Sequence, residues 1–238
     1  MLLALGAQAL ADNYRWGQDV ARSKADLDAE ILGNIQNGAE RVAVAPCLSA
    51  RIKELGEAIG GSSGDWRAMP FRPVKADANS NYTMPVVYRM PSRVWTTDVW
   101  EQAKGMGLFN HMKAQDLRRY SGVYEQIGDL RRNNEDERRQ APKLSFLGFD
   151  GRLEPAARVQ ALTTLAELDA HNRMIVLIAG QVATVGTWLE GRLLPSARSE
   201  FADVIKAQRQ LRGNCVDAAA GWRILAPLMP GQPVRPAE

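Results

Sequence analysis

Few side chains in this sequence combine the residue type and the spacing that catalysis or metal binding requires. Glu167 and His171 lie four residues apart in a predicted helix and could share a metal ion, but no further ligand stands at a recognisable spacing. His111, near Asp98 and Asp116, could transfer a proton, but no nucleophile or paired carboxylate stands beside it. We therefore interpret both histidines as structural, and we predict no catalytic residue, no metal site and no cofactor.

Two tryptophans indicate a different kind of site. Trp95 and Trp100 lie five residues apart across a predicted helix start, and together with His111 they could line a small pocket. The competing interpretation, which we favour, is that the indoles fill the core. The short motifs of nucleotide-binding loops, serine hydrolases and zinc proteases do not occur in the sequence. The residues alone therefore do not predict a reaction.

The two cysteines, Cys47 and Cys215, are too far apart in sequence for a zinc knuckle or a redox C-x-x-C motif. Cys47 follows Pro46, and Cys215 follows Gly213, where a long helix is predicted to end. At such helix boundaries the backbone can bring two Cα atoms within the ~4.4–6.8 Å that a disulfide requires. We predict a disulfide between them; two unrelated buried thiols are the alternative.

The composition is that of an ordinary globular protein. The chain has 238 residues, of which 45% are hydrophobic and 24% charged, and its net charge is +3. Its paired arginines, such as Arg118–Arg119 and Arg131–Arg132, alternate with acidic residues along a predicted helix, so their charges cancel locally. We therefore expect a solvated helix surface there and no nucleic-acid partner.

The bundle is predicted to pack around the apolar run Met174–Leu189. This run continues a helical pattern that begins at Pro155 and ends near Leu194, so we predict one helix; a strand over its first six residues is the alternative. Because the run is apolar on all sides, we expect other helices to surround it. Gly180 or Ala183 should face the closest of them.

The remaining segments complete an all-α fold, a bundle of about four long helices with an irregular, aromatic-rich insertion. The first helix is expected to kink or break at Pro46. The insertion contains Val86–Tyr88 as a candidate for a short extended piece. The predicted long helices cover residues 19–59, 115–139, 155–194 and 197–211. The predicted organisation is an N-terminal segment at 1–16, a bundle domain at 17–226 with the insertion at 60–95, and a loose tail at 227–238.

The N-terminal segment, residues 1–16, has two interpretations. Its apolar part, Met1–Ala11, would extend ~16 Å as a helix, about half of the ~30 Å hydrocarbon core of a bilayer. Tyr14, Arg15 and Trp16 follow, and residues of these types suit a membrane–water interface. We expect the end of a truncated membrane anchor; a terminal helix packed on the bundle is the alternative.

Four stretches carry a resemblance that covers nearly the whole chain: LLALGAQAL leading into ADNYRW, APCLSARIKEL, VWTTDVWEQAKGMGLFNHM and RQLRGNCVDA. They resemble an uncharacterised group of proteobacterial proteins in which an N-terminal membrane anchor carries a helical extracytoplasmic domain. The resemblance implies a periplasmic domain attached to the inner membrane through the N-terminal apolar segment, in a compartment where disulfides persist. The expected function is binding of a protein partner or a ligand without catalysis. The alternative is a soluble, cytoplasmic helical enzyme or small-molecule-binding protein that uses the pocket near Trp95, Trp100 and His111.

Overall fold

Six α-helices account for most of the residues that the structure describes. A computed structural model describes residues 2–62, 64–72, 85–193 and 195–229, with side chains from residue 14 onward apart from that of Thr187. Residues 73–84 of the predicted insertion therefore lie outside the described residues. The helices are α1 (Leu2–Gly61), α2 (Asp98–Gly105), α3 (Ala114–Gln140), α4 (Pro155–Val185), α5 (Pro195–Arg212) and α6 (Ala218–Leu225). Short 3₁₀ helices are Leu108–His111, Ala141–Gly148, Gly186–Leu189, Gly213–Cys215 and Ala226–Leu228. The predicted all-α class is confirmed.

Of the kink or break expected at Pro46, the break does not occur, because α1 runs without interruption for 60 residues. A proline inside a helix removes one backbone N–H and crowds a carbonyl of the preceding turn. Here other elements hold the helix around the proline. The Asp217 backbone N–H donates to the Ala43 carbonyl at 2.9 Å, and Asn172 Nδ2 donates to the Ala45 carbonyl at 3.3 Å. Packing of α1 against α4 and the start of α6 therefore outweighs the local preference for a break.

Two hydrophobic clusters form the core along the length of α1 and α4. Ile35 and Ile175 belong to the first cluster, and Leu55 and Leu168 belong to the second. Along α1 and α3, apolar residues recur at the three- to four-residue spacing of one helix face, and most of them are buried, namely Leu27, Ile31, Ile35, Ala39, Leu48, Leu55, Ile59, Tyr120, Tyr124, Ile127 and Leu130. The helical periodicity of the sequence therefore identified the inner faces of both helices.

α4 is covered on one side only, which corrects the expectation that other helices would surround it. Met174 is 45% exposed and Leu177 is 56% exposed. The reason is that α4 packs against α1 and α3, whereas α5 and α6 pack mainly against α1. The close approach to α1 occurs at Gly38, where an added Cβ would lie 3.1 Å from the Ala179 Cβ; an added Cβ at Gly180 would meet nothing within 4 Å.

A two-stranded pair connects the predicted insertion with the loop before α4. β1 (Asp65–Trp66) pairs antiparallel with β2 (Gly151–Arg152). The expected extended piece at Val86–Tyr88 is not a strand. Its backbone groups are bound individually: the Val87 carbonyl accepts a hydrogen bond from Arg51 Nε at 3.1 Å, and the Val86 carbonyl accepts one from the Phe71 N–H at 2.6 Å.

Both ends of the described chain are helical, from Leu2 at the start of α1 to the 3₁₀ helix Ala226–Leu228. Residues 2–16 form the first part of α1, which continues into the bundle. Within the described residues, no helix has the length and the apolar character needed to cross a membrane. At the other end, Leu228 is buried and its carbonyl accepts a hydrogen bond from the Gly191 N–H at 3.1 Å, so ordered packing continues past residue 227. Residues 230–238 of the predicted tail lie outside the described residues.

The contact between α6 and α1 yields a stability prediction. A Cβ added at Gly221 would lie 2.8 Å from both the Ala39 carbonyl oxygen and the Phe201 ring. We expect Gly221→Ala to lower the free energy of unfolding by about 1–3 kcal/mol through overpacking, measured by urea denaturation. Gly122→Ala is the control, since a Cβ there meets nothing within 4 Å and should stabilise α3 by about 0.5–1 kcal/mol. Equal unfolding midpoints for the two variants would contradict the close packing.

Candidate functional site

The three residues of the predicted aromatic pocket make three separate contacts. Trp95 is 3% exposed and belongs to the first hydrophobic cluster. Trp100 stacks on the Tyr124 ring, with 4.7 Å between the ring centroids. His111 is exposed, and its ring stacks on that of Trp16 at 4.0 Å. An open groove between α2 and α3 contains Trp100, and neither Trp95 nor His111 lines it.

The phenol of Tyr124, which lines the groove at Trp100 together with Glu101, Glu125 and Glu135, is engaged within the protein. The Tyr124 hydroxyl donates to Glu30 Oε2 at 2.7 Å. Burial raises the pKa of Tyr124 well above its usual value, and the hydrogen bond to Glu30 raises it further. The phenol is therefore a neutral hydrogen-bond donor at physiological pH, which agrees with a structural role for this aromatic group.

The Glu167 and His171 pair does not extend to a metal site in the part of the chain that the structure describes. Glu167 is exposed, and His171 Nδ1 lies 3.2 Å from Asn133 Oδ1. Among the described residues, no group of three or more histidine, cysteine, aspartate or glutamate side chains could hold a metal ion. His171 therefore contacts α3 through the side-chain amide of Asn133.

Cys47 and Cys215 form a disulfide in the structure, the pairing that the sequence analysis predicted. Their sulfur atoms are 2.10 Å apart and their Cα atoms 5.0 Å apart. The bond joins α1 to the 3₁₀ helix that follows α5. The hydrogen bond from the Asp217 N–H to the Ala43 carbonyl lies next to it along both segments. The disulfide therefore belongs to a rigid junction of α1, α5 and α6.

An open cleft of about 460 Å³ lies beside this disulfide, and sequence analysis did not predict it. Its walls are formed by α1, the segment 68–72 and the C-terminal end of α5. Among the described residues that line it are four arginines, Arg51, Arg72, Arg89 and Arg212, and the single acidic side chain is that of Glu54. These arginines come from four distant parts of the sequence, so no local spacing could have identified the cleft.

Arg51 holds the wall formed by residues 68–72 in place. Its guanidinium donates to the Val87 carbonyl at 3.1 Å, to Glu54 Oε2 at 2.7 Å and to the Met69 carbonyl. All three of its nitrogens are thus engaged within the protein. Arg51 therefore acts as a clamp between α1 and the two segments on either side of residues 73–84.

Arg212 stands at the opposite wall and is more loosely engaged. Nε donates to Gln208 Oε1 at 2.9 Å and Nη2 donates to the Arg89 carbonyl at 2.6 Å. The guanidinium carbon lies 5.5 Å from the Phe71 ring centroid, within cation–π range. Burial lowers the pKa of Arg212 to about 10, with the nearby Arg41 and Arg89 charges adding to the effect. The side chain is still charged at neutral pH.

A buried ion pair lies behind the cleft. Arg41 Nη2 is 2.6 Å from Glu137 Oε1, and the two side chains are 4% and 0% exposed. The Tyr88 hydroxyl donates to the same carboxylate oxygen at 2.7 Å. Burial raises the pKa of Tyr88, and the neighbouring Glu137 charge raises it further, so the hydroxyl keeps its proton. Arg41 Nε and Nη1 and Glu137 Oε2 have no hydrogen-bond partner among the described residues.

Comparisons with protein-family models, with curated proteins and with solved structures found no match to this chain. We therefore infer the function from the residues and geometry of this chain.

The buried ion pair yields a second stability prediction. Glu137→Leu should lower the free energy of unfolding by about 3–5 kcal/mol, because it leaves the Arg41 charge buried without its partner. Glu135→Leu is the control on the same helix; it removes an ion pair to Arg131 whose side chains are about half exposed and should change the free energy by at most about 1 kcal/mol. Urea denaturation measures both.

The double variant Arg41→Met/Glu137→Leu separates the ion pair from simple packing. Removing both charges should recover most of the stability lost in the single variant, because no uncompensated charge is then buried. A double variant less stable than Glu137→Leu would contradict the assignment of the loss to an unpaired charge.

Proposed function

We propose that this chain is a membrane-associated, periplasmic helical domain that binds a ligand or protein partner in the cleft and performs no catalysis. The observation that carries the proposal is the juxtaposition of the Cys47–Cys215 disulfide with an open, arginine-lined cleft. The disulfide supports the proposed oxidising compartment, and the cleft supports the proposed binding activity.

The disulfide supports a location in an oxidising compartment. Structural disulfides persist in secreted, periplasmic and extracellular proteins, whereas glutathione and thioredoxin keep cytosolic thiols reduced. No other cysteine occurs in the sequence, so Cys47 and Cys215 have no competing thiol within the chain for exchange. The bond spans 168 residues of sequence and joins two packed helices, which is the arrangement of a structural bridge.

The composition of the N-terminal part of the chain supports the membrane association. The segment MLLALGAQALA is apolar, and Tyr14, Arg15 and Trp16 follow it with the aromatic and basic character of a membrane–water interface. Tyr14 is 71% exposed, so its ring is free to contact a surface. The resemblance to anchored proteobacterial proteins points in the same direction.

The cleft supports binding as the activity. Its volume of about 460 Å³ lies within the ~300–1,000 Å³ typical of small-molecule sites. Apolar side chains of Leu48, Met69, Phe71 and Leu211 alternate with the guanidinium groups along its walls. This combination provides both apolar contact and a small number of directional donors.

The compartment can be tested on the native protein from its source cells. Cells are fractionated, and each fraction is treated with a thiol-reactive polyethylene glycol maleimide before and after reduction. We expect the protein in the membrane fraction, with no modified cysteine before reduction and two after it. Recovery in the cytosol with two freely modified thiols would contradict the proposal and favour the soluble alternative.

The structural role of the disulfide gives a further prediction. The double variant Cys47→Ala/Cys215→Ala should lose about 2–5 kcal/mol of unfolding free energy, because the bridge restricts the unfolded chain. Urea denaturation with and without reductant provides the internal control: reductant should destabilise the wild-type protein by a similar amount and leave the variant unchanged. Equal stability of wild-type protein and variant without reductant would contradict a structural bridge.

A further inference from the structure

The cleft beside the Cys47–Cys215 disulfide has a specific chemical character. We propose that it is an oxyanion-binding site, in which Arg212 and Arg72 bind the phosphate or carboxylate group of a ligand and Phe71 contacts the ligand's apolar part. This inference rests on the proposed function of the cleft as a binding site, and it adds the class of ligand.

The charge of the cleft walls is the first argument. Four of the described lining residues are arginines, and Glu54 is the one carboxylate among them; Arg89 already has a partner, which leaves Arg72 and Arg212 as the cations that a ligand would meet. Glu54 accepts a hydrogen bond from Arg51 at 2.7 Å, so it is already paired with the arginine that clamps the wall. Neighbouring cations that share a partly buried site repel one another, and an anion bound between them relieves that repulsion.

The hydrogen bonding of Arg212 is the second argument. Gln208 and the Arg89 carbonyl engage Nε and Nη2, which fixes the plane of the guanidinium. Neither of these two acceptors is a carboxylate, so the hydrogen bonds do not neutralise the charge of the guanidinium. A guanidinium held in this way presents a rigid donor that suits the planar geometry of carboxylate and phosphate oxygens.

The carboxylates that lie deeper in the protein are engaged elsewhere. Glu40 accepts hydrogen bonds from Arg93 Nε and, at 2.7 Å, from Gln208 Nε2. Glu137 accepts hydrogen bonds from Arg41 and Tyr88. Burial lowers the pKa of Arg212 most, and the Arg41 and Arg89 charges lower it further against a smaller opposing effect of Glu40, so the guanidinium would gain from a closer countercharge. A ligand oxyanion would supply that countercharge.

The apolar wall narrows the ligand class further. Leu48, Met69, Phe71 and Leu211 all line the cleft. A bare inorganic ion would leave these side chains unused, whereas an organic phosphate or carboxylate would contact them with its carbon skeleton. Two sources share this chemistry: a soluble organic acid or phosphate ester, and the headgroup of an anionic lipid.

The test measures binding of defined probes to the full chain with its disulfide intact. Phenyl phosphate and benzoate are titrated calorimetrically at constant ionic strength, and co-sedimentation is measured with phosphatidylcholine vesicles that contain or lack phosphatidylglycerol. We expect saturable binding of at least one anionic probe. Arg212→Gln should weaken it at least tenfold, whereas Arg118→Gln, the same charge change at an exposed position outside the cleft, should leave it unchanged.

A second variant keeps the test independent of folding, because Arg212 also holds the Arg89 carbonyl. Arg72 is exposed at the edge of the cleft. Arg72→Gln should therefore preserve the thermal unfolding temperature and lower the affinity for the anionic probe several-fold. Binding of phenyl phosphate or benzoate alone assigns a soluble ligand. If the protein binds vesicles that contain phosphatidylglycerol, and Arg212→Gln abolishes this binding, the ligand is a lipid headgroup.

The inference is overturned if wild-type protein binds none of these anions, or if wild-type, Arg212→Gln and Arg118→Gln proteins bind them equally. Its failure is distinguishable from failure of the proposed function, because fractionation and thiol modification do not depend on the ligand. A membrane-bound, disulfide-bonded protein without anion binding would overturn this inference alone. A cytosolic protein with free thiols that still bound phenyl phosphate through Arg212 would overturn the proposed compartment alone.

Discussion

The buried ion pair between Arg41 and Glu137 is the constraint that fixes where α1 and α3 meet. Both side chains are almost fully removed from water, so neither charge can be left without the other at small free-energy cost. α1 and α3 must therefore meet at these two positions. Tyr88 donates to the same carboxylate, which places the C-terminal part of the insertion at the same point. Glu40, the preceding residue of α1, binds Arg93 and thereby attaches the chain that leads to α2.

The geometry of the cleft follows from this polar layer, which is formed by Arg41, Glu137, Tyr88, Glu40 and Arg93. Once Tyr88 is held against Glu137, the next carbonyl along the chain, that of Arg89, lies where Arg212 donates to it. Gln208, one helical turn earlier in α5, binds both Arg212 and Glu40. The end of α5 is therefore positioned by the same layer that joins α1 to α3. The cleft walls are fixed from the interior of the bundle, and the guanidinium of Arg212 is already oriented before any ligand arrives.

The sequence predicted the features that depend on local pattern and did not predict those that depend on distant contacts. Helical periodicity identified the buried faces of α1 and α3, because an apolar stripe of period 3.6 is typical of a helix with one face in the core. α1 does not break at Pro46, because hydrogen bonds from Asn172 of α4 and from Asp217, just before α6, support the helix there. Leu177 looked like a core residue and is exposed, since apolar type alone does not indicate which sides of a helix are covered. Arg51 and Arg212 are ordinary helical arginines in the sequence, and only the fold brings them to opposite walls of one cleft.

The disulfide has a consequence for the cleft beyond the stability of the chain. Burial lowers the pKa of Arg212, and the Arg41 and Arg89 charges lower it further; this repulsion acts to separate the end of α5 from α1 and from the chain at Arg89. The Cys47–Cys215 bond connects α1 directly to the turn after α5, so it opposes that separation covalently. Arg212 and its neighbouring arginines can then remain close together when no ligand is bound. Because the Arg212 guanidinium is held in place beforehand, little of its conformational entropy is lost when an anion binds, and a preorganised donor of this kind binds more tightly than one that must be ordered by its ligand.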